Sequence, residues 1–242
     1  MTNTNEDLLG IKPISNTVEK TVDGVGRFIG KICMPVAEEI GLLLQDKIKA
    51  WRANNASKIL SKAEKVLENQ GGFDGKTVHP LLAWRIIEHG SFADKDEVQA
   101  FWAGLLASSC TISADDSNQI FIDILSQLTN IQVKIIEYAC TNAKVFLSNQ
   151  GLLQSEDLTV DTSEVVKITA EVDIHRLDRE LDRMRDLGLF GGFAGGGGFN
   201  PHHGVAYIAP SSLCLQLYAR CQGNSNNPVE FYNAEKRTIP KL

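Results

Sequence analysis

Apolar residues recur along this chain at the three-and-four spacing of buried helix faces, stripe after stripe. Ile40, Leu43, Leu44, Ile48 and Trp51 form one stripe, and Ala56, Ile59, Leu60, Ala63, Val66 and Leu67 continue it. The pattern predicts a helix opening at Pro35 and stopping at Gln70-Gly71-Gly72, with Asn54-Asn55 its weakest point. Pro80 opens a second, short helix, LLAWRIIEH, with His79 ahead of it as the cap and Gly90 closing it. Val98, Phe101, Trp102, Leu105 and Leu106 make the next stripe. Asp94 is placed to cap that helix, and Glu97 stands three residues on, as a capping box requires. Phe101, Trp102, Leu105, Leu106 and Trp51 are therefore expected in the core. Ile120, Phe121, Ile124, Leu125 and Leu128 follow. Thr129 and Gln132 then form a second capping box for a helix through Ile135, Ala139 and Phe146, closing near Gly151.

The final third changes character. Leu158 to Thr169 carries Val160, Val165, Val166 and Ile168 and reads as strand or short helix. Ile174, Leu177, Leu181 and Met184 give a helix stopped by Gly188. Leu189-Phe190, the glycine-rich GGFAGGGGFNPHHG and the alternating VAYIA read as a hairpin, and a helix from Ser211 to Cys221 follows. Helix, hairpin with a long loop, helix is the outline of a winged-helix unit. The expected fold is thus mainly α: a helical body over residues 22–150 and a winged-helix-like α+β unit over 151–222. A poorly ordered N-terminus covers 1–21. Residues 223–242 form a polar tail in which Pro228 and Pro240 argue against helix.

Composition narrows the function. The 242 residues are 43% hydrophobic and 22% charged, with a formal net charge of −6, which disfavours nucleic-acid binding through the global field. The five cysteines are odd in number and contain no CxxC pair, so they read as reduced, buried thiols. Cys214 and Cys221 with His202 and His203 are the nearest approach to a zinc cluster, but their spacing fits no common finger. No metal or cofactor is expected. The polar, acidic N-terminus lacks the basic and apolar regions of a secretory signal, which implies a cytoplasmic protein. Val25 to Leu44 carries Arg27, Lys31, Glu38, Glu39 and Pro35 and is no spanning helix. Gly26 and Gly30 form a GxxxG within it. Core burial is favoured about twofold over a membrane role by that charge pattern, and residues 24–44 would be the route to any membrane association on activation.

Candidate chemistry is sparse. No HExxH, GxSxG or Cys/His constellation is present, so no catalytic residue is assigned. The segment Gly191 to Gly198 lacks the following helix and GK[ST] of a phosphate loop. It reads either as a flexible hairpin tip or as an interaction loop made of Gly192, Phe193, Gly195, Gly196, Gly197, Gly198, Phe199, His202 and His203. Arg176, Arg179 and Arg183 share one helix face, which a winged helix would use to read a groove. The interleaved Asp178, Glu180, Asp182 and Asp186 fit a salt-bridged surface or a protein-docking face better. The carboxylates Asp94, Asp96, Glu97, Asp115 and Asp116 read as helix-capping groups.

Four blocks in order carry a resemblance. GSFADKDEVQAFWAGLLASS, acids running into W-A-x-L-L-A, resembles the central signature of the abortive-infection alpha (Abi-alpha) family of bacterial phage-defence proteins. PVAEEIGLLLQDKIKAWRANN, FIDILSQLTNIQVKIIEY, and LDRMRDLGLF with YIAPSSLCLQLYARC resemble its other blocks, so the likeness extends over Val22 to Cys221. Gln132-Val133, Pro210-Ser211 and the glycine-rich loop depart from the family pattern. The resemblance implies a role in phage defence but no molecular activity; with no catalytic motif found, the expected factor is non-enzymatic and acts through contacts with a host, phage or self protein partner, the alternatives being a winged-helix nucleic-acid-binding regulator or a membrane-perturbing effector. It transfers no catalytic residue.

Overall fold

The computed structural model describes residues 28–33, 49–191, 198–200 and 202–234. The stripe from Ile40 to Ile48, the N-terminal 1–21 and the last residues of the tail lie outside the described residues. The fold is mainly α with a C-terminal α+β part. It divides into two compact units, one of residues up to Ser126 together with Cys221–Ser225, the other of Gln127–Arg220 and the residues from Asn226 on.

In the first unit, helix α1 (Lys49–Asn69) runs unbroken through Asn54-Asn55. The low propensity of asparagine is offset by tertiary bonding, because Asn55 is buried and its Nδ2 donates to the Ser91 carbonyl at 3.1 Å. Gly71 and Gly72, both at positive φ, end the helix, and the Gly72 N–H reaches back to the Leu67 carbonyl. Helix α2 (Pro80–Gly90) begins as expected: Pro80 occupies the first turn and His79 Nδ1 accepts from the Leu81 N–H at 3.3 Å. Helix α3 (Asp96–Ser109) buries Phe101, Trp102, Leu105 and Leu106.

The cap of α3 differs from the expectation. A turn closed by the Ala93 N–H on the Gly90 carbonyl delays the helix, so Lys95, not Asp94, stands at the N-cap, and no side chain caps it. Asp96 and Glu97 instead lie in the first turn, where the helix dipole favours them. A short helix, α4 (Gln119–Leu125), is tied to α2 by the Arg85–Asp123 ion pair. Phe28, Ile29, Ile32 and Cys33 are also buried in this unit, and the Ile32 carbonyl accepts from the Val78 N–H.

The second unit opens with α5 (Asn130–Asn142), whose capping box is formed as expected by Thr129 and Gln132. Thr129 and Gln132 also bond to Glu180, which is why α5 groups with the C-terminal unit rather than with a helical body running to residue 150. The helix stops earlier than its stripe suggested. Val145–Leu147 is strand β1, paired antiparallel with β2 (Leu153–Ser155) around a turn in which Gly151 takes φ +78°. A β-branched and aromatic run next to a turn sequence pairs as a hairpin once α5 has ended at Asn142.

Leu158 to Thr169 proves to be both alternatives in succession, β3 (Thr159–Asp161) and α6 (Thr162–Thr169). Helix α7 (Ile174–Asp186) is capped by Asp173 and buries Leu177, Leu181 and Met184. Strands β4 (Gly198–Asn200) and β5 (Val205–Tyr207) complete a three-stranded antiparallel sheet in the order β3-β5-β4. Helix α8 (Ser212–Cys221) follows.

The tail is corrected. Pro228 opens helix α9 (Pro228–Ala234), because proline is excluded from helix interiors but suits a first turn. Tyr232 of α9 is fully buried and its hydroxyl donates to the Leu215 carbonyl at 3.0 Å.

Candidate functional site

The glycine-rich segment does not form the tip of the hairpin. Phe190 bridges to Pro210, and the ladder resumes with Gly198 opposite Tyr207. Between these two pairings the chain from Phe190 to Gly198 is longer in sequence than the chain from Tyr207 to Pro210, where Ile208 and Ala209 intervene. The tight turn lies further on, where the His202 N–H is held by Asn200 Oδ1 at 2.9 Å and Gly204 takes φ +63°. Of the expected interaction loop, His202 and His203 are exposed in this turn. Phe199 is half-buried in β4, and Gly198 is buried there at φ +130°. Gly192, Phe193, Gly195, Gly196 and Gly197 lie outside the described residues.

The arginines of α7 are balanced by acids along the helix rather than paired residue by residue. Arg176 binds Glu171 Oε2 at 2.8 Å and lies 3.9 Å from Glu180. Arg183 donates to the Gln127 side chain, and Arg185 pairs with Asp182 at 2.8 Å. Arg176, Arg179 and Arg183 are exposed, but Asp178 and Asp186 are exposed on the same helix.

Trp51 requires a correction. It is 42% exposed rather than part of the core, whereas Trp102 is 2% exposed. Trp51 lies in the first turn of α1 beside the loop after α2, and its ring meets Phe92, edge-on at 6.3 Å, itself 53% exposed. Between them Arg52 places its guanidinium 4.3 Å from the Phe92 ring centre and donates from Nε to Ser91 Oγ at 3.0 Å. Beneath this surface lies a buried polar chain: Asn55 bonds the Ser91 carbonyl, and Gln99 Nε2 reaches Asn55 Oδ1 at 3.4 Å and the Ala93 carbonyl at 2.9 Å. The chain fixes residues 91–93 on α1 and so presents Phe92 outward. Sequence reasoning missed this cluster. Its one signal was an aromatic residue, Phe92, among turn-forming neighbours.

Among the described residues no group of three or more His, Cys, Asp and Glu side chains is placed to hold a metal ion. All five cysteines are buried, and burial pushes the Cys110 thiol up to about 12. The acidic residues serve local structure. Lys62, hydrogen-bonded to Asp96 at 2.6 Å, holds that carboxyl below the usual range. Bonds from the Ser117 and Ser113 hydroxyls lower Asp115 to about 2. No helix among the described residues is long and apolar enough to cross a membrane.

A family model described as abortive infection alpha matches residues 52–191. The chain belongs to the abortive infection alpha family. The match runs from Arg52 in α1 to the Gly191 that precedes the glycine-rich arm, a shorter span than Val22 to Cys221. Within the abortive infection alpha span lie the Arg52–Ser91–Asn55–Gln99 network, the capping box of α5 and the whole of α7. Strands β4 and β5 and helices α8 and α9 lie beyond it. No curated protein and no solved structure matches the chain.

Proposed function

We propose that this protein acts in abortive infection as a non-enzymatic factor, through protein contacts made by its C-terminal unit. Membership of the abortive infection alpha family supports the defence role. The observation that carries the mode of action is the balance of acids and arginines on α7. A groove-reading helix presents uncompensated arginines to phosphates. Here Glu171 and Glu180 bind Arg176, and Asp178, Asp182 and Asp186 match the other three arginines in number along the helix, so α7 as a whole carries no net charge and suits a protein partner. The deciding experiment counts phage plaques and surviving infected cells with and without the protein. Fewer plaques together with cell death on infection is the expected result. Equal plaquing across a broad phage panel removes the defence role.

One observation favours a second reading. The sheet in the order β3-β5-β4, with two helices between β3 and β4, is similar in outline to a winged helix, a unit that also reads DNA, with the β1-β2 hairpin added between α5 and β3. Electrophoretic mobility shift at several salt concentrations separates the two. A salt-dependent shift at near-physiological ionic strength moves the function to nucleic acid. The membrane reading is weaker, because the described apolar residues at its start, Phe28, Ile29 and Ile32, face inward.

A further inference from the structure

Cys140 of α5 and Cys214 of α8 are separated by 74 positions in sequence, yet their sulfurs stand 3.7 Å apart. Both are fully buried, and Cys140 Sγ also lies 3.9 Å from the Cys214 carbonyl oxygen. The next residue of α5, Thr141, meets the Tyr218 hydroxyl, one turn beyond Cys214, at 3.2 Å. The two helices are thus already joined around the thiols. A disulfide bond of about 2.05 Å needs the sulfurs to close by about 1.7 Å.

We propose that Cys140 and Cys214 form a dithiol that closes to a disulfide on oxidation by a hydroperoxide, locking α5 to α8. One thiol loses its proton, and the thiolate attacks the peroxide O–O bond. Sulfur takes one oxygen as sulfenic acid, and the other oxygen leaves as hydroxide or alkoxide and collects the proton. The second thiol then attacks the sulfenic sulfur. The S–S bond forms, the S–O bond breaks and water departs. The two thiols lose two electrons in all, which reduce the peroxide. Contact between the sulfurs lets this second step outrun further oxidation to sulfinic acid. Burial of both groups makes entry of the oxidant wait on local opening of α8, so the reaction is slow in the cold and accelerates steeply with temperature.

The test uses the full chain. It is incubated with hydrogen peroxide, its remaining thiols are alkylated, and it is digested for peptide mass mapping. The expected product is a Cys140–Cys214 linked peptide about 2 Da lighter than the two reduced peptides together. The melting midpoint should rise by on the order of 5–10 °C, because a long loop is closed in the unfolded chain. Dithiothreitol should reverse both changes. Cys140→Ala and Cys214→Ala should each abolish the rise, while mapping of the unaltered chain needs no variant to fold. Recovery of Cys140 and Cys214 as alkylated thiols, as sulfinic acids, or bonded to other cysteines overturns the proposal.

Discussion

Gly104 lies in the middle of α3, where a Cβ would stand 1.7 Å from the Cys221 carbonyl oxygen. That oxygen belongs to backbone and cannot rotate away, so Gly104→Ala should destabilise the first unit by more than about 3 kcal/mol, as an overpacking change without relief. Urea unfolding measures it, and a variant as stable as the parent refutes the close approach. The two tryptophans divide in the same way. Trp102 is enclosed, stacked with its ring 6.3 Å from His89, and Trp102→Ala should cost about 3–5 kcal/mol. Trp51→Ala, at the exposed end of α1, should cost less than about 1 kcal/mol. Their helical spacing is alike. Whether a neighbouring layer covers the ring is what separates them. Asp115 gives a pH signature. Its carboxyl is lowered to about 2 in the folded protein by the Ser117 and Ser113 hydroxyls. Its contribution is therefore complete above the ordinary value of about 4 and is lost as pH falls from there toward 2. The melting difference between parent and Asp115→Asn should be flat above pH ~5 and shrink across that window.

Elements in this chain start and stop where a particular residue lets them. The Thr129–Gln132 box closes two donors of α5 at once, and Thr129→Ala should destabilise by about 1 kcal/mol in chemical denaturation. At the other end, Ala143 leaves the helix and the Val145–Leu147 run pairs with β2, although its apolar spacing continued the stripe of α5. A short apolar run fits either period, and only the partner strand decides between them. Pro228 carries the same ambiguity in reverse, since it breaks a helix interior yet opens a helix end. Ending the chain after Asn227 removes the buried Tyr232 and its bond to the Leu215 carbonyl. The shortened chain should melt several degrees lower, and an unchanged melting curve would show that α9 does not support α8.

For the molecule as a whole, the register of the hairpin sets the clearest test. Deleting residues 193–197 leaves Gly191 and Gly192 on one arm to match Ala209 and Ile208 on the other, so the ladder from Phe190–Pro210 to Gly198–Tyr207 keeps equal arms. Thermal stability should move by no more than about 2 °C. Protection against phage should fall if Phe193 and its neighbours meet a partner. Protection equal to the parent moves the contact surface to α7 or to the Trp51–Phe92 cluster.

The sequence by itself determined the helices, their order and most of their ends. Period-3.6 stripes, His79-Pro80, the Thr129 box and Gly188 act through local sterics and hydrogen bonds that need no distant partner. It also determined the family, whose blocks are strings of adjacent residues. Other features depend on residues far apart in the chain. Asn55 survives in mid-helix because it donates to the Ser91 carbonyl and accepts from Gln99. Asp94 loses the cap of α3 to a turn closed on Gly90, and Glu180 gathers α5 into the second unit. Cys140 meets Cys214 because α8 packs beside α5. Such pairings are set by burial and register after the chain has folded back on itself, and no local spacing encodes them.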